Sequence, residues 1–140
     1  MFQPTRISAS PSKLKLLDEA GTRGVLLGSR CSLCGSHTFG TVPSCQACYS
    51  PEVESVELGA EGTLYSYTLV RTPPPGWQGD VPYVLGQVEL PQGPHVVSQV
   101  VDCPPEHVHI GMKMLLYLDE VPGANDDEEA RVIFKWRPAS

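Results

Sequence analysis

Four cysteines, Cys31, Cys34, Cys45 and Cys48, form two C-x-x-C pairs with ten residues between them, and no other feature constrains the chain as tightly. Each pair presents two thiolates from one tight turn, so two facing turns supply the four ligands of a tetrahedral ion. The remaining cysteine, Cys103, makes the total odd, which in a reducing compartment points to metal rather than to disulfides. Four thiolates close the coordination sphere, so the expected Zn2+, one per chain, stabilises the fold and cannot activate water. Gly35 follows the first pair, where the turn favours a positive backbone angle that glycine adopts cheaply. Tyr49 stands at the equivalent place after the second pair and implies a knuckle that is either slightly strained or differently turned.

An S4 set also accommodates iron, as in rubredoxin, so a small iron electron carrier stays as an alternative, one that colour and elemental analysis would recognise. A thiol redox role is less favoured, since it usually needs a single C-x-x-C at a helix start.

The residues around the quartet read as a ribbon. Val25 to Cys31 runs as a strand into the first knuckle, and His37 to Val42 leads out toward the second. Upstream, S-K-L-K-L-L-D-E-A from Ser12 to Ala20 has helix formers, a Ser before them and Gly21 after them. These cap and stop signals predict a short helix with Leu14, Leu16 and Leu17 on its apolar face. After Cys48 the texture becomes alternating, β-branched and aromatic over Gly62 to Thr72, Tyr83 to Leu90, His95 to Asp102, Lys113 to Glu120 and Ala130 to Trp136. Turns rich in Pro and Gly separate these five strands, which is the layout of a small OB-type barrel. The expected architecture is therefore mainly β: an N-terminal helical extension over 1–24, a zinc ribbon over 25–58 and a five-stranded OB-fold barrel over 59–140. The acidic run Asn125 to Glu129 reads as a solvated loop.

Composition narrows the function. The 140 residues suffice for one compact domain or a metal-stapled module with one barrel. Sixteen acidic against 10 basic residues give a net charge of −6, which removes long-range attraction to nucleic acid or anionic membranes. Tyr65, Tyr67 and Tyr83 are aromatic enough to stack bases, yet no basic cluster interleaves with them, so an OB nucleic-acid or nucleotide module is the weaker alternative. No apolar run has the length of a membrane span and the opening residues lack signal-peptide zones, which makes the cytoplasm the expected location. Catalytic groups are sparse. Cys103 reads as a packing residue, and His107 and His109 flank Val108 without further ligands nearby, so an enzyme acting alone is not expected.

Several segments in order complete the picture: Gly24 to Gly35, Pro43 to Cys48, Gly62 to Val70, Pro73 to Tyr83, Ile110 to Met114 and Phe134 to Pro138. Together they make the chain resemble a family of acyl-CoA-associated proteins with an N-terminal helix, a rubredoxin-like zinc ribbon and a C-terminal OB fold. The tryptophan often found after the second knuckle in that family is replaced here by Val53-Glu54-Ser55-Val56. The resemblance implies a non-catalytic accessory subunit of a thiolase- or aldolase-type enzyme, in a hetero-oligomer of two plus two chains. It also implies that acyl-CoA is a ligand of the complex, with this subunit helping to shape its entrance. The loop residues Pro73, Pro74, Pro75, Gly76, Trp77, Pro82 and Tyr83 suit that role, because consecutive prolines lose little entropy on docking and Trp anchors interfaces. The competing reading folds Trp77 onto its own barrel.

Overall fold

A computed structural model describes residues 7–18, 22–77, 79–121 and 131–139. Ten strands follow one another: β1 (Ile7–Ser8), β2 (Leu14–Leu16), β3 (Gly24–Cys31), β4 (His37–Phe39), β5 (Val53–Gly59), β6 (Glu61–Val70), β7 (Tyr83–Glu89), β8 (His95–Val100), β9 (Lys113–Val121) and β10 (Arg131–Pro138). Among the described residues the only helical element is a 3-10 turn at Pro105–His107.

The first sheet is built around β3. One edge of β3 carries β2 and then β4, through pairs such as Leu14↔Leu26 and Gly28↔Phe39, and the other carries β5 from Leu26↔Gly59 to Cys31↔Val53. The second sheet runs β10-β8-β7-β6-β9 and closes on itself through the β9–β10 ladder, with β1 added parallel to β10. All five strands expected after the second knuckle are present and make a closed barrel. Its one parallel junction, Trp136↔Val100, is reinforced by the Val101 N–H donating to the Trp136 carbonyl at 2.8 Å.

The expected N-terminal helix is not there. Leu14 to Leu16 is a strand, and Asp18 closes the hairpin behind it by accepting from the Thr22 N–H at 2.8 Å; positions 19–21 lie outside the described residues. The physical reason is the period. Leu14 and Leu16 alternate with Lys13 and Lys15, so an extended segment buries Leu14 to 1% exposure while Lys15 reaches out to Glu57 at 3.1 Å. A helix would have offered a narrow apolar face, whereas the β3 edge offers ladder hydrogen bonds and burial together.

Leu14, Leu26 and Leu58 from the first sheet join Leu64, Val88, Met114, Val132 and Trp136 of the barrel in one contiguous core. Phe39 meets Phe134 edge to face, with ring centroids 5.9 Å apart, and so pins β4 onto β10.

Gly28 is where β4 and β5 close most tightly on β3. A Cβ there would stand 2.4 Å from the Thr38 carbonyl oxygen and 2.6 Å from Leu58 Cδ1, and the backbone oxygen cannot yield without losing the ladder. Gly28→Ala is therefore expected to destabilise by about 2–3 kcal/mol, read as a lowered midpoint of thermal unfolding. An unchanged midpoint would show that β4 does not pack against β3 this closely.

Candidate metal centre

Each knuckle grows from the same local hydrogen bonds. In the first, the Gly35 N–H donates to the Cys31 carbonyl and the Cys31 N–H to the Ser36 carbonyl, both at 2.9 Å. In the second, the Tyr49 N–H donates to the Cys45 carbonyl at 3.0 Å and the Cys45 N–H to the Ser50 carbonyl at 2.8 Å. Gly35 and Tyr49 occupy matching positions with φ of 76° and 63°, so the second knuckle has the same turn as the first and carries the strain of a side chain in the left-handed region. Ser29, buried beneath, fixes the approach to the second knuckle: its hydroxyl donates to the Gly40 carbonyl at 3.2 Å and accepts from the Val42 N–H at 3.0 Å.

The two turns bring all four sulfurs within 4.8 Å of one another, with Cys31–Cys48 and Cys34–Cys45 Sγ separations of 3.6 Å each. A tetrahedral ion with Zn–S bonds of about 2.3 Å needs sulfurs about 3.8 Å apart, so the donor set and its spacing fit. Cys31 and Cys45 are buried, and Cys34 and Cys48 are exposed. The Cys48 and Ala47 N–H groups point at Cys45 Sγ from 3.4 and 3.3 Å and hold its thiol down to about 6. N–H donors of Cys34 and Leu33 lower Cys31 in the same way. At Cys48 the Ser50 N–H favours the thiolate, but the neighbouring sulfurs, Cys31 foremost, outweigh it and push the thiol up to about 12. The quartet is thus a ready acceptor for a cation and releases its last protons only when one arrives.

The loop flagged for docking is folded on the β6–β7 hairpin. Trp77 stacks on Tyr83 with ring centroids 4.3 Å apart and 22° between planes, and its indole N–H donates to the Asp80 carbonyl at 3.3 Å. Gly79 lies against the indole, the Val81–Pro82 bond is cis, and Pro73, Pro74, Pro75 and Gly76 form the exposed start of the loop.

His107 ends the 3-10 turn, and the His109 ring nitrogen Nδ1 lies 3.2 Å from the His107 carbonyl oxygen. With Cys103, Asp102, Met112 and Lys113 they border an open cavity of about 340 Å³. The Cys103 thiol is pushed up by burial and by the Glu106 carboxylate, the opposite of an activated nucleophile. His95 is engaged by Glu89 at 3.0 Å and by the Tyr65 ring, whose centroid lies 4.4 Å away. Tyr65 and Tyr67 are exposed on β6, and the sequence between Arg71 and Lys113 contains no Lys or Arg, although Lys113 itself reaches the Thr63 hydroxyl at 3.4 Å.

A larger groove of about 770 Å³ runs between the ribbon and the barrel, lined by Leu17, Arg23, Val25, Leu116, Leu118 and Asp119 among others. Lys135, 2.7 Å from Asp119, holds that carboxyl below the usual range. Sequence reasoning did not find this groove, since its walls come from segments about 90 positions apart with no shared motif. No described helix is long and apolar enough to cross a membrane.

A ribbon whose four cysteines are grouped to hold a metal ion, packed on a closed five-stranded OB barrel, is the class that fold and site define. Residues 55–119 match the family model described as ChsH2, C-terminal OB-fold domain. The chain is 32% identical over 117 residues to a DUF35 domain-containing scaffold protein of Methanocaldococcus jannaschii, covering 83% of each chain. It is also 31% identical over 84 residues to the benzoylsuccinyl-CoA thiolase subunit BbsA of Thauera aromatica, covering 60% of this chain and 57% of the other. Among solved structures it resembles the Ltp2-ChsH2(DUF35) aldolase, with a TM-score of 0.63 and 31% identity over 83% of this chain and 86% of that one. The chain belongs to the DUF35-domain family of scaffold proteins.

Proposed function

We propose that this chain is a non-catalytic accessory subunit that scaffolds a thiolase-fold acyl-CoA enzyme. The observation that carries this reading is membership, over 83% of the chain, in a family whose relatives are scaffold proteins. The thiolase-subunit and aldolase relatives name the kind of enzyme such a scaffold accompanies. In this reading Zn2+ sits in the quartet as a staple, the ribbon of residues 25–58 docks, and the barrel of 59–140 borders the acyl-CoA entrance. Pro73 to Gly76, Trp77, Pro82 and Tyr83 would form part of that border: the Trp77–Tyr83 stack is a rigid apolar wall, and rigid walls order a substrate channel at low entropic cost. The complex is a cytoplasmic hetero-oligomer of two plus two chains, and its chemistry resides on the partner.

The test uses the thiolase-family enzymes of the source genome, each purified separately and mixed with this chain. The expected result is no thiolysis or retro-aldol cleavage of acyl-CoA by this chain alone. One enzyme should form a stable complex whose activity exceeds that of the enzyme alone by about tenfold or more. Absence of any complex, together with full activity of every enzyme alone, would sink the reading.

A further inference from the structure

The most exposed large apolar side chains on the described surface are Tyr49 at 80% and Leu33 at 70%. Both belong to the knuckles, and each is the chain neighbour of an exposed sulfur ligand, Leu33 of Cys34 and Tyr49 of Cys48. Tyr49 also holds a φ of 63° at the position where the sister knuckle has Gly35. A tyrosine there is strained relative to glycine and recovers almost no burial among the described residues. Stability of the isolated chain does not account for it.

Charge singles out the same end. Residues 31–51 contain no Asp, Glu, Lys or Arg, although the rest of the chain carries 26 such residues. Of the cations beside them, Arg30 is turned toward Glu54 at 3.3 Å and Lys13 lies over the Phe39 ring, 5.7 Å from its centroid. Divalent zinc with four thiolates leaves a net charge of about −2 on the sulfur cluster. No lysine or arginine of the knuckle segment answers that charge. A protruding Tyr and Leu on a segment without charged side chains, beside an anionic sulfur cluster, combine an apolar anchor with a charge for a partner to answer.

We infer that the knuckle end is a docking knob whose Tyr49 and Leu33 enter an apolar pocket on the partner enzyme, with Arg, Lys or backbone N–H groups at the pocket rim facing the sulfur cluster. The inference rests on the scaffold reading and specifies where the partner is held. Charge complementarity selects a different protein over a second copy of this chain, because two copies would oppose like-charged clusters.

The experiment measures affinity of zinc-loaded full-length variants for the thiolase-family enzyme that binds the wild-type chain, by calorimetry, with zinc content and thermal midpoint recorded for each. Tyr49→Gly should keep one zinc per chain and an unchanged or raised midpoint, yet weaken binding by about tenfold or more. Leu33→Ala should weaken it in the same direction, while Ile110→Ser, a comparably exposed apolar residue on the barrel, should stay within about twofold. Two well-folded knuckle variants that bind within twofold of wild type would overturn the knob and leave the scaffold reading standing. Failure of the wild-type chain to bind any such enzyme overturns the scaffold reading, and the knob with it. Concentration-dependent self-association abolished by Tyr49→Gly would instead assign the knob to a second copy and overturn the heteromeric assignment.

Discussion

Cys45→Ser is expected to eliminate stoichiometric zinc and to unfold the ribbon sheet, while amides of the barrel strands keep their protection against hydrogen exchange. Cys45 is 2% exposed and its sulfur accepts from two backbone N–H groups, so serine would remove a ligand and leave those donors aimed at a poorer acceptor. The ribbon has little else to hold it. β2 and β4 are three residues each, and only Leu14, Leu26 and Leu58 of the largest fully buried side chains lie outside the barrel and apart from the quartet. Beyond the leucines it shares with the barrel core, the knuckle end of the sheet depends on its staple, and structural zinc contributes about 10–16 kcal/mol of apparent binding energy in small zinc modules. Elemental analysis and exchange mass spectrometry check the result; a protected β3–β4 ladder in a zinc-free variant would refute it.

Acid should produce the same state reversibly. In the metal-free quartet Cys45 is held at about 6, well below a free thiol, so the stability linked to its thiolate is complete above the unfolded value and is lost as pH falls through about 6. Protons then compete with the ion for every sulfur. With a chelator present, zinc release should rise steeply between about pH 7 and 5.

Trp136→Ala is expected to cost about 3–5 kcal/mol, a large share of the total stability of a chain this size. Trp136 is fully buried on β10, where it pairs with Val100 of β8 on one side and Leu116 of β9 on the other. It therefore fills the junction at which the barrel closes, and alanine would leave a cavity that ladders on both sides prevent from collapsing. Thermal denaturation should show a midpoint lower by roughly 10 °C or more. A shift of only a degree or two would mean that the barrel does not close around this side chain.

The strands after the second knuckle were legible because β-branched alternation and Pro-Gly turns are local signals with a period of two. The same rule, applied strictly, was the better guide at Lys13 to Leu16 as well. Helix formers and a capping serine outweighed it there, since four residues of alternation look like noise beside a nine-residue propensity. β5 went unread for a different reason. Val53, Val56 and Leu58 are interrupted by Glu54 and Glu57, whose place becomes clear only when Arg30 lies across the β3–β5 ladder from Glu54 and Lys15 reaches Glu57 from β2 on the other edge of β3.

What the amino-acid order alone determined is the quartet of sulfur ligands and the barrel of five strands, because ligand type, turn geometry and side-chain alternation act over a few residues. Tertiary structure decided the rest. Leu14 is a strand residue because β3 stands ready to cover it, and Trp77 lies on Tyr83 because the β6–β7 hairpin brings the two rings together. Tyr49 protrudes because no described residue reaches the knuckle to bury it. Burial is a property of what the distant chain places nearby, and no local pattern encodes it.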